Sequence, residues 1–409
     1  MPTIISPASI SRSQSPRLKS LPPLSLYIHL PWCLRKCPYC DFNSHEVRGQ
    51  VSDLPESEYV AALMRDLEAA LPLIWGRKVI SIFFGGGTPS LFSAQSIDTI
   101  LSAVRALLPL ELLAEVTLEA NPGTFEAQKF SDFRAAGINR LSIGIQSFNP
   151  RHLQSLGRIH DAGDAHRAAE IARKNFDNVN LDLMYALPHQ TLEEARNDIE
   201  TAIACGVAHI SAYHLTLEPN TLFHRYPPSL PDDDSAAEMQ VTIEQTLASA
   251  GYINYETSAF AQAGRESRHN MNYWLFGDYL GIGAGAHSKI SFPDKILRQA
   301  RYKQPKEYLA KAEPEMLASG PPVMEQHEVA RADRAFEFMM NALRLTEGFA
   351  TETFVERTGL PITTIQRQLE EAERRGLIER DYRHIAPTLT GRRFLNDLLQ
   401  LFLPETSKA

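Results

Sequence analysis

The sequence has few cysteines, no long apolar run and no excess of positive charge. Its 409 residues include four cysteines, too few for the disulfide framework of a secreted scaffold. No uninterrupted apolar stretch approaches the roughly 20 residues that a membrane-spanning helix needs. The formal net charge of -8 argues against nucleic-acid binding, which requires surplus Lys and Arg to neutralise phosphates. We therefore expect no membrane span and no nucleic-acid partner.

The N-terminal segment, residues 1–24, contains Ser, Pro, Arg and Lys but no acidic residue. It lacks the apolar core of a secretory signal. Two interpretations remain open, a disordered tail or an organelle transit peptide, since transit peptides are also poor in acids. We favour the tail and, with it, a cytoplasmic location.

Short apolar runs alternate with amphipathic stretches of helical length from residue 26 to about residue 216. The predicted strands are residues 26–30, 79–84, 115–119, 141–146, 179–184 and 209–216, and predicted helices between them include residues 57–71, 94–107, 126–136, 165–174 and 192–204. This alternation predicts an α/β fold in which helices cover a parallel sheet. Six such units favour a partial (β/α)6 barrel over residues 25–226, with ligands at the C-terminal ends of the strands.

The remainder of the chain divides into two regions. Residues 227–234 (PPSLPDDD) predict a linker or surface loop that opens a middle region, residues 227–327. Residues 328–409 form a C-terminal α+β region with a helix–turn–helix pattern near residues 354–375 and two short strands, which is typical of a winged-helix-like domain. Eight Lys/Arg against seven Asp/Glu from residue 360 onward favour a structural or partner-docking role over DNA binding.

Three cysteines follow the first predicted strand with the spacing C-x3-C-x2-C: Cys33, Cys37 and Cys40. Cysteine thiolates hold iron–sulfur clusters, normally one per iron, so three favour a [4Fe–4S] cluster with one iron left open. Structural zinc needs four closed ligands, and no second cysteine pair is present. A redox dithiol or a purely structural loop explains the spacing less well.

This spacing directly after an N-terminal strand resembles the signature of the radical S-adenosylmethionine (SAM) superfamily, to which roughly the first two-thirds of the chain is similar. The resemblance implies a radical SAM partial barrel whose open iron binds the amino and carboxylate groups of SAM. It implies that Tyr39 packs near the adenine and that the glycine segment 85–88 approaches SAM, since glycines permit close backbone approach. Alone, this glycine segment is also compatible with a simple tight turn.

Within the superfamily the sequence is similar to oxygen-independent coproporphyrinogen III oxidase and its relatives. The resemblance assigns SAM-pocket roles to Tyr27, Gly86, Gly87, Thr88, Glu119, Gln146, Arg158, Asp182 and Tyr213. The last four match contacts with a second SAM in the oxidase, so the number of bound SAM molecules, one or two, remains open. Without the resemblance, Glu119 and Gln146 would be ordinary polar residues at strand ends.

Three departures separate the chain from the oxidase. Phe42 stands where the oxidase has a further cysteine, and 26 residues precede Tyr27 where the oxidase has a longer covering segment. The sequence His-Asn-Met-Asn-Tyr-Trp, starting at His269, resembles the hallmark of the haem-chaperone branch. This resemblance implies that His269 is an axial ligand of haem iron, a standard role of imidazole. A structural histidine is the alternative, and His287 is a second candidate ligand.

The resemblance implies a haem chaperone that binds haem and transfers it to acceptor proteins, with a [4Fe–4S] cluster and SAM as cofactors. Its other expected partner is an electron donor such as flavodoxin or ferredoxin. The alternative is a radical SAM enzyme that forms a 5′-deoxyadenosyl radical and acts on a porphyrinogen. A winged-helix regulator that senses iron or haem fits the charge balance poorly. Whether the protein cleaves SAM remains open, and we expect no coproporphyrinogen oxidase activity.

Overall fold

The computed structural model describes residues 18–123, 127–318 and 320–404. Its strands, numbered along the chain, are β1 (Leu24–Leu30), β2 (Trp32–Cys33), β3 (His45–Glu46), β4 (Val79–Gly86), β5 (Leu110–Ala120), β6 (Arg140–Gln146), β7 (Val179–Tyr185), β8 (His209–His214), β9 (Ile253–Glu256), β10 (Ala259–Ala261), β11 (Asp278–Ile282), β12 (His287–Ser291), β13 (Ile296–Arg301), β14 (Val323–Glu328), β15 (Phe349–Ala350), β16 (Ile378–Arg380) and β17 (His384–Pro387). Its α-helices are α1 (Glu56–Ala70), α2 (Ala94–Leu107), α3 (Ala127–Ala136), α4 (Pro150–Ser155), α5 (Ala162–Asn175), α6 (Leu192–Ala204), α7 (Leu222–Arg225), α8 (Asp233–Ser249), α9 (Arg268–Trp274), α10 (Pro305–Lys311), α11 (Pro314–Leu317), α12 (Arg334–Ala342), α13 (Thr351–Thr358), α14 (Gln366–Arg374), α15 (Leu389–Arg393) and α16 (Leu395–Gln400).

A twelve-stranded sheet forms the centre of the molecule, in the order β14-β13-β12-β11-β1-β4-β5-β6-β7-β8-β10-β9. The six strands from β1 to β8 in this order are parallel to one another. They coincide with the six predicted strands, and the helices α1, α2, α3, α5 and α6 lie in the connections between them. The prediction of an α/β partial barrel is confirmed.

The parallel strands are buried because both of their faces are covered. In β1 every residue except Tyr27 is buried, and α2 and α3 bury residues such as Ile100 and Phe133 against the sheet. Continuous apolar strands of this kind require helices on the outside of the sheet. Capping residues fix where these helices begin: Thr191 and Glu194 form a reciprocal capping box at the start of α6.

The middle region, residues 227–327, extends the same sheet at both edges, an arrangement that the sequence did not reveal. Strands β10 and β9 follow β8 in antiparallel pairing. At the other edge β11 pairs with β1 in parallel, and β12, β13 and β14 continue the sheet in antiparallel pairing. The loop predicted over residues 227–234 ends at Asp232, which caps α8, so Asp233 and Asp234 form the first helical turn, where acidic side chains are favoured.

Residues 1–17 of the predicted N-terminal tail lie outside the described residues. The segment that follows contacts the barrel: the Leu18 amide donates to the Pro293 carbonyl at 2.7 Å, and Arg77 donates to the Pro22 carbonyl at 2.6 Å. Leu18 is also buried. These contacts attach residues 18–23 to the elements around β1.

The C-terminal region has its own small sheet, in the order β15-β17-β16, and the helices α12 to α16. The predicted helix–turn–helix corresponds to α13 and α14, and both predicted strands are present as β16 and β17. Its apolar core, which includes Phe338, Phe354 and Leu369, also takes in Phe276 and Ile296 from the middle region. Among the described residues, no helix is long and apolar enough to span a membrane.

Candidate functional site

The three cysteines lie in the segment after β1, which we call the cysteine loop: Cys33 ends the short strand β2, and Cys37 and Cys40 follow it. All three are partly exposed free thiols. The side chain of Asn43 holds this loop in place, because its Nδ2 atom donates to the carbonyls of Ala284 and Lys303, both at 2.9 Å. The loop is therefore tied to the segment after β11, although about 240 residues separate them along the chain.

The cysteine side chains form a soft donor set that suits the iron atoms of a cluster. Burial raises the pKa of the Cys33 thiol to about 11 and raises the pKa of the Cys40 thiol. Within the described ranges, no three His, Cys, Asp or Glu side chains converge as ligands of one metal ion. A cubane cluster attaches each thiolate to a different iron, so its cysteine sulfurs need not converge, whereas structural zinc requires that they do.

The glycine segment, residues 85–88, begins at the end of β4 and lies directly against the cysteine loop. The Gly87 amide donates to the Leu30 carbonyl at 2.9 Å, and a Cβ atom at Gly87 would lie 2.5 Å from the carbonyl oxygen of Trp32. Gly86 has φ of +111°, a conformation that residues with a side chain rarely adopt. Thr88 is buried, and its hydroxyl donates to the Cys33 sulfur at 3.4 Å.

A chamber of about 400 Å³ opens beside the cysteines at the C-terminal ends of the parallel strands. We call it the smaller chamber. The predicted site residues that line it are Cys33, Cys37, Cys40, Tyr39, Gly86, Gly87, Glu119, Gln146, Arg158, Asp182 and Tyr213. The structure thus brings together eleven of the predicted residues, and it places Thr88 in contact with one of them.

Three of these residues have unusual local environments. Gln146 has a left-handed φ of +68°, and such strain is concentrated at functional sites. Arg158 donates to the Cys37 sulfur at 3.7 Å. Tyr39 packs against Phe223, with 6.4 Å between ring centroids.

The predicted site residues Glu119 and Asp182 place their carboxyl groups at the smaller chamber. Burial and, secondarily, repulsion from Asp182 raise the pKa of Glu119 to about 8, although the Gly86 amide donates to it at 3.2 Å. Burial also raises the pKa of Asp182, which accepts hydrogen bonds from Ser142 and Asn180 at 2.8 and 2.9 Å. Glu119 is therefore mainly protonated at neutral pH and can donate as well as accept hydrogen bonds.

A larger chamber of about 840 Å³ adjoins the smaller one. Eight residues line both chambers, among them Cys40, Glu119, Asp182 and Tyr213. The larger chamber is also lined by the aromatic residues Tyr27, Phe83, Tyr273, Trp274 and Tyr279 and by the basic residues Lys36, Arg140, His287, Lys303 and Arg344. Its ring faces suit a flat, mostly apolar ligand. The Lys and Arg side chains offer partners for negatively charged groups of that ligand, and Asp41 and Glu256 add acidic groups to the same lining.

His269 lies behind the wall of the larger chamber and does not line it. The residue is 1% exposed, and its ring stacks on Phe83 at 4.9 Å and meets the edge of Tyr273 at 5.0 Å. Its Nδ1 atom is 2.9 Å from the Ser81 hydroxyl. Its Nε2 atom is buried and has no hydrogen-bond partner among the described residues. Burial, followed by repulsion from Arg140, lowers the pKa of His269 to about 3, so the imidazole is neutral.

Helix α9 holds this histidine and presents Tyr273 and Trp274 to the larger chamber. The Ser267 hydroxyl caps the helix, and the Glu115 carboxylate accepts from the amides of Arg268 and His269, both at 3.1 Å. The other candidate ligand, His287, is exposed and lines the larger chamber directly.

Several residues of the site were not predicted from the sequence. Asn121 contacts both Thr88 and Arg158, at 2.8 and 2.6 Å, and Ser142 and Asn180 hold Asp182. Only Asn121 had a signal in the sequence, because it lies two residues after the third predicted strand and directly follows β5. The others are small polar residues inside strands, and their role depends on which neighbouring strand they meet.

Comparison with known proteins places the chain among characterised families. Residues 27–202 match the model described as the radical SAM superfamily, and residues 329–394 match the HemN C-terminal domain. The chain is 49% identical to the heme chaperone HemW of Escherichia coli (strain K12) over 94% of this chain and 99% of that protein. It is 34% identical to heme chaperone HemW of Bacillus subtilis over 93% and 99% of the two chains. The mitochondrial radical S-adenosyl methionine domain-containing protein 1 of Mus musculus is 35% identical over 94% and 88%.

A solved structure shares the overall fold. Coproporphyrinogen III oxidase (HemN) from Escherichia coli superposes with a TM-score of 0.78 and 22% identity, over 93% of this chain and 90% of that chain. This match supports the barrel together with its edge strands and C-terminal domain. At this identity it concerns the fold alone.

Proposed function

Because the chain belongs to the HemW family of the radical SAM superfamily, we propose that it is a haem chaperone that binds haem and passes it to haem-acceptor proteins. The observation that carries the proposal is the unpartnered, buried Nε2 atom of His269. It lies beside a chamber lined by Tyr273 and Trp274 of the same helix. A neutral imidazole nitrogen without a partner is available to bind iron.

We assign the [4Fe–4S] cluster to Cys33, Cys37 and Cys40. SAM then occupies the smaller chamber. In radical SAM proteins, SAM bound to a reduced cluster is the source of an organic radical. The reductant is an electron donor such as flavodoxin or ferredoxin. We place the protein in the cytoplasm, where a reducing environment keeps cysteine thiols free for a cluster.

The residues around the smaller chamber divide into three roles toward SAM. Gly86 and Gly87 allow the ligand to approach the backbone, and Tyr39 supplies a flat apolar surface. Polar contacts come from Glu119, Gln146, Arg158, Asp182 and Tyr213, whose side chains line the chamber. Thr88 supports this wall through its contact with Cys33. Tyr27 lines the larger chamber instead, where it stacks on Phe83 with 6.2 Å between ring centroids.

Haem occupies the larger chamber in this proposal, and His269 is its axial ligand. Ligation requires that Nδ1–H donates to Ser81, which leaves the Nε2 lone pair for iron. Tyr27 and Tyr273 line the larger chamber, and their ring centroids lie 6.5 and 5.0 Å from that of His269. Because His269 itself does not line the chamber, haem ligation in this proposal requires a local rearrangement of the chamber wall. Chamber cations such as Lys303 provide partners for the haem carboxylates.

The test is a haem titration of the full-length protein, followed by the Soret band. The wild-type protein should shift the Soret band, and His269→Ala should weaken haem binding at least tenfold. His287→Ala tests the second candidate ligand. The matched control is His384→Ala, which removes an exposed imidazole on β17. An affinity for haem that is unchanged in His269→Ala would rule out this ligand, and no haem binding by the wild-type protein would rule out the chaperone.

A second candidate function is radical chemistry on a porphyrinogen. One observation favours it: the two chambers share Cys40, Glu119, Asp182 and Tyr213, so a substrate in the larger chamber would lie next to SAM. Anaerobic incubation with coproporphyrinogen III, SAM and a reductant tests it. Formation of protoporphyrinogen IX would establish this activity, whereas a haem-binding protein without product would leave the chaperone as the function.

A further inference from the structure

A hydrogen-bond donor or hydroxyl group from outside the three-cysteine motif lies near each of its three sulfurs. The Thr88 hydroxyl is 3.4 Å from the Cys33 sulfur, and Arg158 Nη1 is 3.7 Å from the Cys37 sulfur. The Ser44 hydroxyl lies 3.6 Å from the Cys40 sulfur. Thr88 and Arg158 come from loops that are distant along the chain from the cysteines, so the fold brings them there.

The side chain of Asn121 connects the first two of these donors. Its Nδ2 atom donates to the Thr88 hydroxyl oxygen at 2.8 Å, and its Oδ1 atom accepts from Arg158 Nη2 at 2.6 Å. Because the Thr88 oxygen already accepts this bond, its own hydrogen is free to point to the sulfur. Arg158 Nη2 also donates to the Gly144 carbonyl at 2.6 Å, which fixes the guanidinium plane and leaves Nη1 directed at Cys37.

We propose that Asn121 is a positioning residue that aims two hydrogen-bond donors at the cysteine sulfurs and thereby raises the reduction potential of the cluster. The inference rests on the proposed [4Fe–4S] cluster at these cysteines. Reduction adds negative charge that is shared with the sulfurs, and hydrogen bonds to sulfur stabilise the reduced form. The Arg158 contact is charge-assisted and therefore the stronger of the two. A higher potential means that the same electron donor reduces a larger fraction of the protein.

The inference is tested by a redox titration of the cluster in the full-length protein, followed by electron paramagnetic resonance of the reduced form. SAM and haem are left out, so that effects of Arg158 on either ligand do not contribute. Thr88→Val keeps the shape of the side chain but removes its hydroxyl, and we expect a more negative midpoint potential. Thr88→Ser keeps the hydroxyl and should restore the wild-type potential.

Asn121→Ala should lower the potential further than Thr88→Val, because it releases both donors. The double variant should not exceed the sum of the two single shifts, since Asn121 acts partly through Thr88. The matched control is Asn139→Ala. The Asn139 side chain also makes two hydrogen bonds, to the amide of Val116 and the carbonyl of Ala114. Neither partner is a donor to a cysteine sulfur, so the potential should stay at its wild-type value.

The outcomes separate this inference from the proposed cofactor. Full cluster content with unchanged potentials in Thr88→Val and Asn121→Ala would overturn the positioning role alone. An equal shift in Asn139→Ala would also overturn it, because the shift would then reflect general loosening of the barrel. Absence of a cluster from the wild-type protein would overturn the proposed cofactor and this inference together.

Discussion

The Nδ1 atom of His269 lies 2.9 Å from the hydroxyl oxygen of Ser81, and both side chains are shielded from solvent. The Ser81 hydroxyl is also 2.8 Å from that of Ser25, which in turn accepts from Asn272 Nδ2 at 2.9 Å. His269 and Asn272 of α9 are thereby joined to β1 and β4 through one buried chain of hydrogen bonds. The position of the proposed haem ligand is thus set by the centre of the barrel sheet.

Removal of the Ser81 hydroxyl from this chain of hydrogen bonds should destabilise the fold. Ser81→Ala leaves His269 and Ser25 each without one buried hydrogen-bond partner, so we expect the free energy of unfolding to fall by about 1–3 kcal/mol. Chemical denaturation of the two proteins measures the difference. Ser249→Ala, which removes an exposed hydroxyl near the end of α8, should change it by less than about 0.5 kcal/mol. Equal stability of Ser81→Ala and wild type would show that these hydrogen bonds contribute nothing to the free energy of unfolding.

The sequence predicted the parallel part of the sheet because each strand there is a continuous apolar run followed by a helical pattern. It did not predict that β11 pairs with β1, because Asp278 and Leu24 meet across about 250 residues and local patterns carry no information on such pairing. The cysteine spacing located one wall of the smaller chamber. The burial of His269 was not predictable either, since it depends on which face of α9 meets β1 and β4.

The glycine segment should be intolerant of even one added methyl group. A Cβ at Gly87 would lie 2.5 Å from the Trp32 carbonyl oxygen, and this backbone precedes Cys33. Gly87→Ala must therefore displace the cysteine loop, and we expect loss of more than half of the bound cluster, measured as iron content and visible absorbance after anaerobic reconstitution.

The control for this substitution is Gly163→Ala. Gly163 lies in α5, where the nearest atoms to an added Cβ are the ends of polar side chains and alanine is favoured over glycine. Cluster content should remain at the wild-type level. Full cluster content in Gly87→Ala would contradict the close approach of the two loops.

Glu119 should give the protein a characteristic pH dependence of stability. Its pKa is about 8 in the folded chain and near 4.3 when unfolded, so between these values the folded state binds more protons. Stability from this group is therefore lost as the pH rises from about 4.3 to about 8. Thermal unfolding of the cluster-free protein measures this loss.

Glu119→Gln removes the titration but keeps an acceptor for the Gly86 amide. Relative to wild type, the variant should therefore be more stable at pH 9 and show no gain at pH 4. Its neighbour Asp182 remains in both proteins, so the difference reports the titration of Glu119 together with its coupling to Asp182. A difference between the two proteins that is constant over this pH range would contradict the raised pKa.

The four cysteines offer an internal comparison for the proposed cluster. Cys33 lines the smaller chamber. Cys205 instead caps the end of α6 and is partly exposed. Cys33→Ala removes one of three thiolates, and a cubane held by two is not retained, so we expect the absorbance of the cluster to disappear. Cys205→Ala removes the same chemical group and should leave iron and sulfide content unchanged. Equal losses in both variants would mean that the cysteine loop does not hold the cluster, and retention in both would exclude Cys33 as a ligand.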